Sequence, residues 1–232
     1  MYLLTETASP FALERWAAFF ANFGQFAKGF FYTLGISIGA LIVALLLGLI
    51  FGAMSSTHNK VLHGISRVYV EIFQNTPLLV QFVVVFYGIS ILTDGHVMIP
   101  ISLTAILCVG VYTGAYISEI IRTGIEAVPK GQTEAALSQG FTYADTMRII
   151  ILPQAVRTIL PPLTNQVVNL IKNTSAVAII SGADIMFTAK AWAYDTTNYV
   201  PAFAGAAFLY FIMCFPLATW ARRKEEENKK AY

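Results

Sequence analysis

Long apolar stretches separated by short polar segments make up most of this chain of 232 residues. No charged residue occurs between Phe30 and Met54, an interval longer than the ~20 residues with which a helix crosses the hydrocarbon core of a bilayer. Similar apolar stretches follow along the chain. The pattern predicts an all-α membrane protein with five membrane-spanning helices, at about 30–54, 68–92, 99–121, 158–180 and 199–221.

Pairs of glycines four residues apart lie inside the predicted spans, as in Gly48-x-x-x-Gly52 and Gly110-x-x-x-Gly114. This spacing puts small residues on one face of a helix, where the backbone of a neighbouring helix can approach closely. We therefore expect close helix packing at these faces.

Polar segments frame the apolar pattern and divide the chain. Ser9 and Pro10 predict the start of a short aromatic helix, either at the lipid headgroups or as a simple lead-in to the first span. We expect an N-terminal segment over 1–25, a transmembrane domain over 26–221 with a polar loop at about 122–153, and a charged tail over 222–232.

Composition agrees with a membrane protein, and charge sets its expected orientation. Hydrophobic residues make up 56% of the chain, charged residues 12%, and the mean hydropathy is +0.64, which excludes an ordinary soluble domain. Most of the 15 lysine and arginine residues follow the first span, follow the third span or lie in the tail. Because such residues concentrate on the cytoplasmic side, we expect the N-terminus outside, and the polar loop and C-terminus inside.

The sequence lacks the common motifs of hydrolases and nucleotide-binding proteins. It contains no G-x-x-x-x-G-K-[ST], no G-x-S-x-G and no H-E-x-x-H. Cys108 and Cys214 have no metal-ligand spacing to a histidine, and a net charge of +2 argues against a nucleic-acid partner. We therefore expect a protein that is not an enzyme and holds no metal or cofactor.

Polar side chains inside the spans are the candidates for function, because a charge at the bilayer centre is costly unless it faces protein or water. Asn165, Asn169, Lys172 and Ser175 follow one another at helical spacing on one face of the fourth span. This stripe predicts a pore lining or a protein interface. The alternative is hydrogen bonding between helices without transport, with the Lys172 ammonium group reaching out to the membrane surface.

The second and third spans carry polar candidates as well. Tyr116 and Glu119 share a face of the third span, and Arg122 follows Glu119 by one turn, which also fits a simple salt bridge at a helix end. Gln81 follows the polar residues at 71–75 near the start of the second span. These residues either line a path or mark where a span meets the cytoplasmic surface.

Four stretches in register carry a family resemblance. Residues 73–81, FQNTPLLVQ, resemble a motif of the ABC transporter permease subunits of the polar amino acid (histidine/glutamine) uptake family. Three further stretches resemble the cytoplasmic EAA loop of that family and its flanks. The segment that leads into the loop is 115–132, the loop motif itself is 134–140, and the segment that leaves it is 152–175. Gln74 departs from the motif, because most members have Arg at this place.

The resemblance implies a type I ABC importer permease architecture in a prokaryotic cell membrane. It implies three kinds of partner: a second permease subunit, identical or related, two ATP-binding subunits that hold ATP and magnesium, and an extracytoplasmic amino-acid-binding protein. The missing P-loop agrees with this arrangement, because ATP hydrolysis then belongs to another chain.

The resemblance also implies that the polar loop, called the EAA loop from here on, transmits closure of the ATPase to the spans. Ala135 and Ala136 permit close approach to a groove on the partner, where Glu134 can meet a basic residue. Gly140 permits a turn or close packing between two short helices, and Pro153 fits the first turn of the next helix. The coupling candidates are Glu134, Ala135, Ala136, Gly140, Leu152 and Pro153.

Substrate and transport class stay open at this level. The stretch 168–173 resembles the glutamate/glutamine members of the family, and Lys172 can neutralise a substrate carboxylate. A secondary transporter or channel for small polar solutes, or a structural membrane subunit, is the alternative. The candidates for the translocation path are Gln81, Tyr116, Glu119, Asn165, Asn169, Lys172 and Ser175.

Overall fold

A computed structural model describes residues 9–57 and 59–230 of the chain. Within these ranges every regular element is helical. The helices are α1 (Leu13–Ala21), α2 (Phe23–Ser55), α3 (Lys60–Gln74), α4 (Leu78–Leu92), α5 (Ile101–Glu126), α6 (Lys130–Ser138), α7 (Tyr143–Ile180), α8 (Ile185–Thr196) and α9 (Tyr199–Lys230). Residues 1–8 of the predicted N-terminal segment, His58 after the first span and residues 231–232 of the tail lie outside the described residues.

Three helices are long and apolar enough to cross a membrane alone: α2, α5 and the Tyr199–Arg223 part of α9. Two pairs, α3 with α4 and α7 with α8, pass the same test only together, and they bend by 97° and 46° at their breaks. The described part of the chain therefore holds between three and five candidate spans. The predicted all-helical fold class is confirmed for these residues.

Two polar connections between predicted spans are helical for one physical reason, a helix cap that the hydrophobic pattern does not show. The second apolar segment is helical from Lys60 rather than from residue 68, because Asn59 Oδ1 accepts hydrogen bonds from two N–H groups of the first turn at 2.9 and 3.4 Å. The predicted loop after the fourth span contains α8, whose first turn is capped by the Asp184 side chain.

The N-terminal helix α1 packs against α8 and the start of α9. It begins at Leu13 rather than after Ser9, whose hydroxyl and carbonyl groups accept hydrogen bonds within a preceding turn. Arg15 donates to Asn198 Oδ1 at 3.0 Å, and the ring of Phe19 packs edge-on against Trp192. The helix is thus part of the folded unit, while its place at the lipid headgroups stays a prediction.

The most extensive contact between two helices joins α2 and α5. A Cβ added to Gly48 would lie 2.7 Å from the Cβ of Ile117, and one added to Gly114 would lie 3.1 Å from the Cβ of Leu47. Both distances are shorter than the ~3.5–4.0 Å at which carbon atoms pack favourably. The predicted close packing at glycine faces is confirmed.

The buried core extends from this pair to α4 and α7. Phe82 of α4 is fully buried in one cluster with Val109 of α5 and Val177 of α7. A second cluster, centred on Phe26 and Trp192, joins α2 to α1, α8 and α9. The polar groups described below therefore sit on helices whose other faces are fixed by apolar packing.

We expect Gly48→Ala to destabilise the protein, because an added methyl group in this contact forces α2 and α5 apart at a cost of about 1–3 kcal/mol. Each kcal/mol lowers the Tm of a chain of this size by roughly 3 °C. Gly35→Ala is the matched control, since nothing lies within 4 Å of a Cβ at that position of the same helix. Thermal unfolding in detergent measures both, and equal Tm values for the two variants would contradict the packing role.

Candidate functional site: a broken span, a polar path and the EAA loop

The second apolar segment is broken between Gln74 and Leu78, where α3 meets α4 at 97°. Pro77 has no N–H group, so the last carbonyl groups of α3 lose their helical partners. Gln74 Nε2 donates to the carbonyl of Ala115, near the middle of α5, at 3.2 Å. The break therefore lies about halfway along the neighbouring span.

Side chains of the break donate to carbonyl groups at the end of α3, of which that of Glu71 also keeps its helical partner, the N–H of Asn75, at 3.2 Å. Thr76 Oγ1 and Asn75 Nδ2 donate to carbonyl groups of the last turn of α3 at 2.7 and 2.8 Å. Gln81 Nε2 reaches back from α4 to the carbonyl groups of Phe73 and Thr76 at 3.3 and 3.1 Å. Gln81 is a predicted path residue, and in the structure its side-chain amide links α4 to the end of α3 by hydrogen bonds across the break.

A cavity of about 360 Å³, called the central cavity here, lies between α5 and α7. Two tyrosine hydroxyl groups, three amides and one ammonium group surround it. Its lining residues are Tyr112, Tyr116, Gln166, Asn169, Lys172 and Asn173. The tyrosine hydroxyl oxygens lie 3.1 Å apart, and no carboxylate is among the lining residues, so the charge of the lining is positive.

Lys172 also borders a second cavity, about 280 Å³ in volume, which lies between α7, α8 and α9 and is called the α9 cavity. Ser175 and Tyr210 line it together with apolar side chains. The Tyr210 hydroxyl donates to Asp184 Oδ2 at 3.2 Å, and the buried Asp184 carboxylate also accepts two N–H groups of α8. Sequence reasoning missed this pair, although an aspartate just before an apolar run is a helix-capping signal.

The predicted polar stripe of the fourth span is divided between these two cavities. Asn169 lines the central cavity, Ser175 lines the α9 cavity, and Lys172 lines both. Asn165 is exposed one turn earlier and lines neither of the two. Ser175 lies in the 3₁₀ segment, Thr174–Ile180, in which α7 ends with three residues per turn, whereas Asn169 and Lys172 lie in the α-helical part.

A third cavity, about 250 Å³ in volume, lies between α3 and α5 and is called the ion-pair cavity. Arg67 pairs with Glu71 on α3 at 3.0 Å, and Arg122 pairs with Glu119 on α5. Arg122 Nε donates to Glu119 Oε2 at 3.0 Å, and another nitrogen of its guanidinium group donates to Glu126 at 2.5 Å. The Glu119–Arg122 pair that the sequence suggested is therefore present, and it faces a cavity.

Helix α5 connects the central cavity to the ion-pair cavity. Tyr116 lines the first, and Glu119, three residues further along the same helix, lines the second. Gln74 also lines the ion-pair cavity, and its amide contacts the carbonyl of Ala115 beside Tyr116. Polar side chains thus follow α5 from its middle toward the EAA loop.

Within the EAA loop, Gly140 ends helix α6. Its φ of +86° is a left-handed conformation that glycine adopts without strain. The N–H groups of Gly140 and Phe141 donate to the carbonyl groups of Leu137 and Ala136 at 3.0 and 3.2 Å, which is the Schellman pattern of a helix end. The predicted turn at Gly140 is confirmed.

The two alanines of the EAA loop face different ways. Glu134 and Ala135 are exposed, whereas Ala136 is buried within the chain. The expectation that both alanines meet a partner is therefore corrected, because α6 packs onto the π-helical turn Thr146–Ile151 and Ala136 is its buried residue. Leu152 and Pro153 follow this turn and are exposed.

The chain combines apolar helices, polar side chains that follow these helices, and a helical loop beside them. These are features of a transport subunit. Over residues 44–225 the chain matches the family described as "Binding-protein-dependent transport system inner membrane component". The chain belongs to this family of ABC transporter permeases. It is a multi-pass protein of the plasma membrane and a transport component rather than an enzyme.

Similar proteins agree with this assignment and confirm the predicted resemblance. The probable glutamine ABC transporter permease protein GlnM of Bacillus subtilis is 37% identical, covering 92% of this chain and 97% of that protein. The glutamate/aspartate import permease protein GltJ of Escherichia coli K12 is 33% identical, with coverage of 82% and 85%. A crystal structure of an amino acid ABC transporter with histidines matches with a TM-score of 0.84 and 31% identity, covering 91% of this chain and 97% of that one.

We expect Gln81→Leu to loosen the break, because the half-buried carbonyl group of Phe73 and the exposed carbonyl group of Thr76 lose a donor, and a lost hydrogen bond costs about 0.5–1.5 kcal/mol. Hydrogen–deuterium exchange of the purified complex should show roughly tenfold faster exchange over residues 74–83, as 1.4 kcal/mol corresponds to a factor of ten.

The matched control is Thr164→Val, which removes a side-chain hydrogen bond that stays within one turn of α7, from Oγ1 to the carbonyl of Leu160 at 2.8 Å. It should leave exchange over 74–83 unchanged. Unaltered exchange in this segment of Gln81→Leu would show that the amide does not hold the break.

Proposed function

We propose that this chain is the translocation subunit of an ATP-driven importer of polar amino acids of the glutamine or glutamate type. The central cavity is the observation that carries the proposal. Its ammonium group, Lys172, complements a carboxylate, and its amides complement a carboxamide or carboxylate side chain. The faces of Tyr112 and Tyr116 suit the ammonium group of an amino acid. The names of the two similar permeases point to the same substrates.

The proposed topology has five spans, with each bent pair counted as one span, the N-terminus outside and the C-terminus inside. Two observations support it. The pairs α3–α4 and α7–α8 are apolar enough to span the membrane when joined, and the arrangement gathers most lysine and arginine residues on the side of the EAA loop. The membrane domain is then 26–221, between an outer segment at 1–25 and a cytoplasmic tail at 222–232.

The proposed partners follow from what the chain lacks and what it exposes. Without a P-loop it depends on two ATP-binding subunits, which hold ATP and magnesium. Glu134 and Ala135 offer these subunits an exposed small residue beside a carboxylate. A second permease, identical or related, completes the path, and an extracytoplasmic amino-acid-binding protein delivers the substrate.

The EAA loop is placed to pass movement to the spans. A cavity of about 730 Å³ separates it from the ends of α2 and α5, with Glu134, Thr146, Ser56 and Ile125 among its lining residues. The loop therefore faces the closely packed α2–α5 pair across this cavity and continues into α7 on its other side. Displacement of α6 by a partner shifts α7 against α5, the two helices that border the central cavity.

Reconstitution tests the function directly. In proteoliposomes that contain the chain with the products of its neighbouring genes, we expect uptake of radiolabelled glutamine or glutamate that requires ATP and the binding protein. Uptake without ATP would favour a secondary transporter or channel. An assembled complex that carries no amino acid under either condition would favour a structural subunit.

The same preparation tests coupling through the EAA loop. Gly140→Asp forces a side chain into the left-handed conformation at about 1 kcal/mol or more, and Glu134→Lys reverses the exposed charge. Both should abolish ATP-driven uptake while membrane insertion persists. Gly131→Asp in the first turn of α6 is the control, because its added Cβ has no neighbour within 4 Å and its backbone is not left-handed. Normal uptake in both loop variants would contradict the coupling role.

A further inference from the structure

The ion-pair cavity combines free volume with balanced charge. Arg67 and Arg122 contribute two cations, Glu71 and Glu119 contribute two carboxylates, and Val70 is the single apolar residue of its lining. A salt bridge that serves packing alone needs no adjoining space. Here a volume of about 250 Å³ adjoins both pairs, far more than the ~30 Å³ that one water molecule occupies in the liquid.

We propose that this cavity is a second amino acid site, on the exit side of the path, and that Gln74 makes it select zwitterions with uncharged side chains. The inference rests on the proposed function, which supplies the amino acid, and it deepens that function by naming the substrate class. Neither the family match nor the names of the relatives distinguish glutamine from glutamate.

The charges of the cavity match those of an amino acid main chain. An arginine can pair with the α-carboxylate of an amino acid, and a glutamate can pair with its α-ammonium group. When a zwitterion binds, the arginine and the glutamate pair with it in place of each other, and no charge is left unpaired. The pair on α5 carries most of this effect. The side chains of Arg122 and Glu119 are 27% and 39% exposed, against 69% and 52% for Arg67 and Glu71, and exposed pairs are weakened by water.

The position of the cavity fits an exit site. It shares α5 with the central cavity, and Glu119 follows Tyr116 by three residues on the same side of that helix. A substrate that leaves Lys172 toward the EAA loop therefore meets Gln74, Glu119 and Arg122 next. The outermost group in this direction is the exposed Glu126, which also binds Arg122.

Gln74 decides the net charge of this cavity. Its amide is neutral, so the two arginines and two glutamates of the lining balance. His63 also lines the cavity, with its Nδ1 2.9 Å from the carbonyl oxygen of Ser55, and Glu126 binds Arg122 from outside the lining. A glutamine zwitterion keeps that balance, whereas glutamate brings an additional carboxylate for which no free cation remains. An arginine at position 74, reaching the same cavity from the end of α3, would supply the missing cation.

The test uses the purified complex of permeases and ATPase in lipid nanodiscs, without the binding protein, and equilibrium binding of radiolabelled glutamine and glutamate. The wild type should bind glutamine more tightly. Gln74→Arg should reduce the ratio of glutamine to glutamate affinity by about tenfold, which corresponds to 1.4 kcal/mol. Gln74→Glu should increase that ratio, and this opposite shift separates a charge effect from simple damage to the site.

Two controls separate this inference from the function on which it rests. Gln25→Arg adds the same charge at an exposed position of α2 far along the chain, and it should leave the ratio unchanged. Lys172→Met should weaken binding of both amino acids, because it removes the cation of the central cavity. If the wild type binds neither amino acid, the proposed function fails as well. If it binds them and both Gln74 variants keep the wild-type ratio within twofold, the exit site alone is overturned.

Discussion

A backbone carbonyl inside a membrane must keep a hydrogen bond, because no water is present to replace a lost partner and each loss costs several kcal/mol. This constraint shapes the break between α3 and α4. The helix ends at Asn75–Pro77, and the side chains of Thr76 and Gln81 donate to carbonyl groups that lose their helical partners, while Asn75 Nδ2 adds a second donor to the carbonyl of Glu71. The bent pair α3–α4 keeps its backbone hydrogen-bonded because its own polar side chains replace missing helical hydrogen bonds.

The break has consequences for the rest of the molecule. It turns α4 sideways onto α5 and α7, where Phe82 is buried, and it leaves the polar end of α3 facing the ion-pair cavity. The glycine contact between α2 and α5 supplies the fixed frame against which these elements are held. Polar groups then line cavities along α5, while the opposite face of α2 stays apolar and exposed through Ile42, Leu46 and Leu49.

Much of this architecture is predictable from the sequence, because long apolar runs, glycine spacing and the turn at Gly140 each have one physical solution in a membrane. The break was harder to predict. The polar residues around the break are equally typical of the start of a span. In addition, a hydropathy pattern does not show that Asn59 caps a helix, which begins eight residues earlier than expected. Helix α8 was missed for the same reason, since Asp184 caps it within a segment that carries other charges.

The candidate site was predictable in part. Helical spacing brought Asn169 and Lys172 together correctly, because α7 is a regular α-helix from Leu152 to Asn173. It did not foresee that Ser175 lies in a 3₁₀ segment, which packs against α4. The burial of Ala136 likewise depends on a contact with the π-helical turn that the motif alone does not reveal.

The central claim is that the polar faces of α5 and α7 border a water-filled path rather than lipid. Cysteine accessibility tests it most directly, in the assembled complex after Cys108 and Cys214 are replaced by alanine. Tyr116→Cys and Asn169→Cys should react with a charged, water-borne thiol reagent, whereas Leu46→Cys on the apolar face of α2 should not. Unreactive cysteines at 116 and 169, in a complex where Ala135→Cys of the EAA loop reacts, would contradict the claim.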